Sequence, residues 1–401
     1  MSDGSNSTAR WLLAVVTFLI LYGSLYPFRF VDIGASGPMD LLARLDWART
    51  TRSDIAANVL LYLPFGACLA WMLSGRLGGA LAIVAATLIG ALLSTMIEVA
   101  QLYETRRVSS LADISYNAAG SFAGALLAVL VREAQQRLRP PGIEGVLRQP
   151  ISASLCLLWI GYRLAPFALS FDTAHWREAV DPLLSGPWLA PVATLGFLLP
   201  WLVVARALHS LQPQGAGIPA TVVVMLIVAT GSVLIPGKQL LPAEVVAMGI
   251  TLLLCWPLER LGEGRASAVL AFAFAAYFIV QGLTPFNFRV DPDTFSLLPF
   301  KEALARYSAM NLPVTFQKCF MVGALVWLLA RAGNSVLAAT LLGGAVVLAI
   351  ELLQVWLPGR SAEITEPLLA LAAGGLIALF ESGRGAAAPG APRRPAKPRR
   401  R

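Results

Sequence analysis

The chain has 401 residues, of which 57% are hydrophobic and 13% charged, against roughly 25% charged residues in an ordinary soluble domain. So little polar surface cannot cover the core of a soluble protein of this length, which excludes a cytosolic enzyme, a disordered chain and a soluble nucleic-acid binder. The net charge of +8 is local: Arg384, Arg393, Arg394, Lys397, Arg399, Arg400 and Arg401 crowd the C-terminal stretch without an acid. Such a tail after a hydrophobic segment reads as a cytoplasmic anchor.

In chain order, apolar runs near the roughly 20 residues that a membrane helix needs fall at 11–27, 55–73, 77–101, 114–131, 151–169, 189–208, 219–235, 242–258, 266–285, 314–330, 335–357 and 367–381. The expected fold class is all-α, a polytopic membrane helix bundle of about twelve transmembrane helices. The first run lacks a small-residue cleavage site and continues into Ser24-Leu25-Tyr26-Pro27-Phe28, so it reads as a retained span and not a removed signal peptide. Arg132, Arg137, Arg139 and Arg148 follow the fourth span, and Arg260 and Arg265 follow the eighth. With the basic tail they fall on one side, which the positive-inside rule makes cytoplasmic together with both termini. The opposite loops hold most of the acids, among them Asp32, Asp113, Asp172, Asp291 and Glu363, and should face outward.

Cys68, Cys156, Cys255 and Cys319 sit singly in apolar runs and read as buried hydrophobes, with no disulfide or metal framework. His175 and His209 fall in expected loops without a ligand cluster. No cofactor and no metal is expected.

The chain repeats itself. Tyr26-Pro27-Phe28, Ala165-Pro166-Phe167 and Thr284-Pro285-Phe286 each end an apolar run, and each is followed by an acid. Glu98, Gln101, Arg107 and Asp113 recur at a constant offset as Glu351, Gln354, Arg360 and Glu366. Between them, Lys238 and Glu244 keep only the cation and acid, and Ala229 and Ser232 occupy the Glu and Gln positions. Three four-helix units follow from this duplication: 11–132, a degenerate middle unit at 150–260, and a partly retained third at 266–381. Residues 1–10 form a cytoplasmic N-terminus and 382–401 a disordered basic cytoplasmic tail.

The segment Asn58-Val59-Leu60-Leu61-Tyr62-Leu63-Pro64-Phe65-Gly66, then Glu98-x-x-Gln101, Arg107 and Asp113-x-x-x-Asn117-x-x-Gly120, resembles the two signatures of VanZ-like membrane proteins. Glu351-x-x-Gln354…Pro358-Gly359-Arg360 is similar, while Thr315 and Ala370 stand where Asn58 and Asn117 stand in the first unit. The resemblance implies a bacterial cytoplasmic-membrane protein, a family whose namesake is linked to teicoplanin tolerance and which has no settled activity.

Ionisable side chains within a membrane are functional candidates by default. The ligand-binding candidates are Asn58, Glu98, Gln101, Arg107, Asp113, Asn117, Glu351, Gln354, Arg360 and Glu366. Glu98 and Gln101 share a helix face, and the short loop to Asp113 lets Arg107 bridge Glu98 and Asp113. Two readings fit: a polar clamp between helices, or an outer-leaflet pocket that binds a head group through the arginine and amides. The motif has no His, Cys nucleophile or metal set, so a membrane-embedded enzyme acting on a lipid-linked substrate, with Glu98 or Asp113 as proton acceptor, is the weaker alternative. Membrane lipids, a lipid-linked cell-wall precursor or a glycopeptide are the partners in view, and nucleic acid is not. Transport or flipping of a lipid-linked envelope precursor is the alternative, weakened by polar groups that cluster near span ends. Pro64 should kink the second span, Gly120-x-x-x-Gly124 permits close packing, and Met39–Trp47 and Phe300–Tyr307 read as amphipathic segments on the outer interface.

Overall fold

The computed structural model describes residues 2–26, 28–34, 37–47, 52–104, 109–137, 148–212, 217–301 and 311–385. Every regular element among them is a helix. They are α1 (Ser2–Leu25), α2 (Pro38–Ala43), α3 (Arg52–Leu77), α4 (Gly79–Leu102), α5 (Leu111–Arg137), α6 (Pro150–Leu164) and α7 (Thr173–Ser185), then α8 (Pro191–Leu211), α9 (Gly217–Leu234), α10 (Pro242–Arg260), α11 (Glu263–Leu283), α12 (Asn311–Arg331), α13 (Val336–Gln354) and α14 (Thr365–Gly385). Each of the twelve expected spans coincides with one of the longer helices. Among the described residues, nine are long and apolar enough to cross a membrane, and Ala9–Leu25 and Pro150–Leu164 are shorter apolar helices.

Two ends differ from expectation. Helix α1 begins at Ser2 and α14 runs to Gly385, because hydropathy marks where a helix meets lipid and not where its hydrogen-bonded backbone begins. The basic tail beyond 385 lies outside the described residues, as does most of Phe300–Tyr307. The two histidines lie on helices and not in loops. His175 is in α7, which Asp172 caps by accepting from the Ala174 amide at 3.0 Å. Nδ1 of His209, in the last turn of α8, lies 3.3 Å from Glu259 Oε1.

Packing divides the described helices into two bodies of core. A smaller one joins α1, α3, α4 and α5 around Ile20, Tyr62, Phe65, Ala86 and Ala125. A larger one draws Trp159, Trp201, Val228, Phe274, Phe320 and Val347 from α6, α8, α9, α11, α12 and α13 into a single cluster. Its packing is reciprocal: α6 lies against α12, and α11 lies against α8. Helix α8 is central, since 61% of its most apolar window is buried against 28–39% in the other long spans. Helix α6, with only 15 residues, is shorter than a bilayer core of about 30 Å at 1.5 Å per residue. Burial on most sides lets it be short. The two bodies meet where α1 touches α14 and the Tyr22 hydroxyl donates to the Pro299 carbonyl at 2.7 Å.

Within the first body, α3 and α5 approach through glycine. A side chain at Gly120 would meet the Val59 carbonyl oxygen at 2.4 Å, and one at Gly124 the Leu63 oxygen at 1.9 Å. Hydrocarbon surroundings give apolar side chains no reason to leave lipid, so close backbone packing of small residues drives such contacts.

Candidate functional site

Proline removes a backbone donor and cannot continue a helix, and after Pro166 and Pro285, as at Phe28, the chain turns at the phenylalanine of a span end. Phe28, Phe167 and Phe286 all adopt left-handed backbone, with φ of 61°, 60° and 61°, a region uncommon for residues other than glycine. Their amides donate to the carbonyls of Leu25, Leu164 and Leu283 at 2.8, 2.8 and 2.7 Å. Three residues on, the amides of Val31, Ser170 and Arg289 donate to the carbonyls of Tyr103, Leu234 and Trp356 at 2.7, 2.8 and 2.9 Å. These carbonyls belong to the unsatisfied ends of α4, α9 and α13. The same stitch therefore ties a first helix to a third helix three times at one end of the bundle.

The paired Glu and Gln of α4 and α13 extend that stitching. Glu98 Oε2 accepts from the Ser110 amide and Glu351 Oε2 from the Glu363 amide, both at 2.8 Å. Each carboxyl thus serves the amides that lead into α5 and α14, where a helix start has donors to spare. Gln101 Nε2 donates to the Ser24 carbonyl at 2.8 Å, and Gln354 Nε2 to the Gly282 carbonyl at 3.0 Å. Glu and Gln share a face, as their spacing requires, but reach different helices. Asn117 Nδ2 donates to Ser94 Oγ at 2.9 Å.

The acid that opens each fourth helix has a partner, and the sequence reading, which gave Asp113 to Arg107, paired none of the three correctly. Asn58 Nδ2 donates to Asp113 Oδ1 at 2.9 Å. Glu244, wholly buried, pairs with Arg163 at 2.5 Å. Glu366 pairs with Lys318 at 2.8 Å, and Lys318 also reaches Glu363 at 3.2 Å. Arg163 stands four residues before Phe167, as Ser24 stands before Phe28 and Gly282 before Phe286. In the middle set a cation thus occupies the place where glutamine elsewhere finds a carbonyl. Lys238 donates to the Tyr162 carbonyl at 3.4 Å. Burial, with repulsion from Arg163 added and Glu244 opposing, holds its ammonium below the usual lysine range. The overlooked signal was simple: Arg163 and Lys318 are lone cations inside apolar runs, where a charge needs a partner.

Arg107 lies outside the described residues. Its counterpart Arg360 does not bridge carboxylates. One terminal nitrogen donates to the carbonyls of Gln281 and Thr284 at 2.9 and 2.8 Å, and Arg360 makes no ion pair among the described residues.

These contacts surround a cavity of about 220 Å³ at the stitched end of α11 to α14, walled by Lys318, Glu351, Gln354, Arg360 and Glu366. Glu351 and Glu366 are 4% and 8% exposed, so the carboxyls lie deep and the arginine lies at the rim. Asn58, Glu98, Gln101, Asp113 and Asn117 belong instead to the first body, on α3, α4 and α5.

Among the described residues, an all-helical bundle with nine long apolar helices and a charged cavity at one end defines a polytopic helical membrane protein. Residues 7–132 match the VanZ/LLP1 family, so this first set of helices is similar to VanZ-like membrane proteins. No curated protein and no solved structure matches it.

Proposed function

We propose that this VanZ-like protein sits in the bacterial cytoplasmic membrane with both termini in the cytoplasm, and that it binds the head group of a lipid-linked envelope component at the outer leaflet. On this reading the threefold stitching is the trace of a duplicated four-helix unit, and the third copy carries the binding pocket. The observation that supports it is the arrangement around Arg360. Its guanidinium is fixed at the cavity rim by two carbonyls, while the lysine behind it is engaged by Glu363 and Glu366. A planar guanidinium with free donors suits a phosphate or carboxylate. The amides of Gln281 and Gln317 offer neutral hydrogen bonds alongside. Binding there would shield the component from glycopeptides such as teicoplanin.

The test compares Arg360→Gln and Glu351→Gln with the unmodified protein in cells, scoring teicoplanin tolerance and protein abundance together. Tolerance lost at normal abundance supports the binding reading. Abundance falling in step with tolerance makes the cluster a structural clamp and overturns it.

A further inference from the structure

A second cavity, of about 610 Å³, adjoins the charged one and shares Gln281, Gln317 and Met321 with it. It lies between the middle and third sets of helices, among α6, α8, α11 and α12. Its walls include Trp159, Tyr162, Ala193, Phe197 and Tyr277. We infer that this cavity holds the hydrocarbon chain of the amphiphile whose head occupies the charged cavity, so that the middle set supplies half of one composite site. The inference rests on the head-group reading above and extends it.

Three observations carry it. The volume lies within the roughly 300–1,000 Å³ of small-molecule pockets, which are apolar with few polar groups, and its walls are aromatic and aliphatic. The back wall is rigid: Trp159 packs against Tyr162, Trp201 and Phe320 with ring centroids 5.4, 5.6 and 5.1 Å away. Yet Trp159, 2% exposed, has an indole N–H without an acceptor among the described residues, and buried donors are rarely left so. The third observation is access. At the start of α8, Leu189 and Val192 are 93% and 71% exposed, which opens the cavity sideways toward lipid. On α8, Gly196 leaves room for the Tyr277 hydroxyl, which would lie 2.8 Å from any Cβ there.

An acyl chain and an isoprenoid chain have the same chemistry here. The test uses purified protein in nanodiscs and three photoreactive probes: phosphatidylglycerol with a diazirine in one acyl chain, an isoprenyl phosphate with a diazirine, and a diazirine-bearing alkane without a head. After irradiation, peptides are mapped. At least one headed probe should label Trp159, Tyr277 or Met321 about tenfold above the alkane, and the stronger of the two identifies the chain. Ala193→Trp should abolish that labelling while Ala193→Ser keeps it, and Met321→Trp repeats the block from the opposite wall. Equal labelling by the alkane overturns the inference, as does labelling confined to outward residues such as Phe272 and indifferent to Ala193→Trp. Arg360→Gln separates the two proposals. If it leaves the headed probes' advantage unchanged while Ala193→Trp removes the labelling, the chain site stands and the head-group reading falls.

Discussion

At the scale of single residues, buried charge ties one helix to another. Arg163 sits over the rings of Phe197 and Tyr162 at 5.4 and 5.9 Å, with Glu244 completely enclosed beside it. A buried pair is poor evidence of net stabilisation, because desolvation offsets most of the attraction, but breaking one side leaves an uncompensated charge. Arg163→Met or Glu244→Leu alone should therefore each cost about 3–5 kcal/mol of unfolding free energy in detergent, and the double variant should recover most of it. Purely additive losses in the double would sink this account. The identity of each candidate acid was legible from its spacing. The partner was not, because Arg163 is 81 residues from Glu244 and Lys318 is 45 from Glu363, and no local pattern links them.

At the scale of helices, glycine sets how closely α3 and α5 approach. A methyl at Gly124 would overlap the Leu63 carbonyl, whereas one at Gly249 in α10 meets nothing within 4 Å. Gly124→Ala should cost about 1–3 kcal/mol through overpacking, and Gly249→Ala should be neutral or stabilising by up to about 1 kcal/mol through helix propensity. Thermal shift of a fluorescent fusion by size exclusion would read both. Helix positions were legible because a membrane span must be a long apolar run. Helix α7 was not foreseen: in 13 residues it mixes His, Trp, Arg, Glu and Asp with apolar groups, a pattern without the hydropathy of a span. The partner of Glu244, Arg163, was missed for a related reason. Equal offsets predict equal positions, not which neighbour reaches across the bundle.

At the scale of the whole molecule, the stitched ends of all three helix sets, with both cavities, lie on one face of the bundle. The proposed orientation turns that face outward, a consequence that labelling can check. Val290→Cys, on the loop after α11 at 94% exposure, should react with a membrane-impermeant maleimide in intact spheroplasts. Asn334→Cys, between α12 and α13, should react only after permeabilisation. The reverse pattern would invert the topology and remove the outer-leaflet reading.

The sequence by itself determined the class of protein. With 13% charge, only a membrane can solvate this surface, and backbone hydrogen bonding in lipid leaves helices as the economical way to cross it. It also determined the register of the three recurring turns, since a Pro-Phe pair and a constant offset are local facts. Tertiary structure alone decided that the middle and third helix sets share one core, that Arg360 clasps carbonyls and not carboxylates, and that an aromatic cavity opens beside the charged one. Those features depend on which apolar faces meet, and apolar faces that lipid also accepts carry no strong signature of their partner.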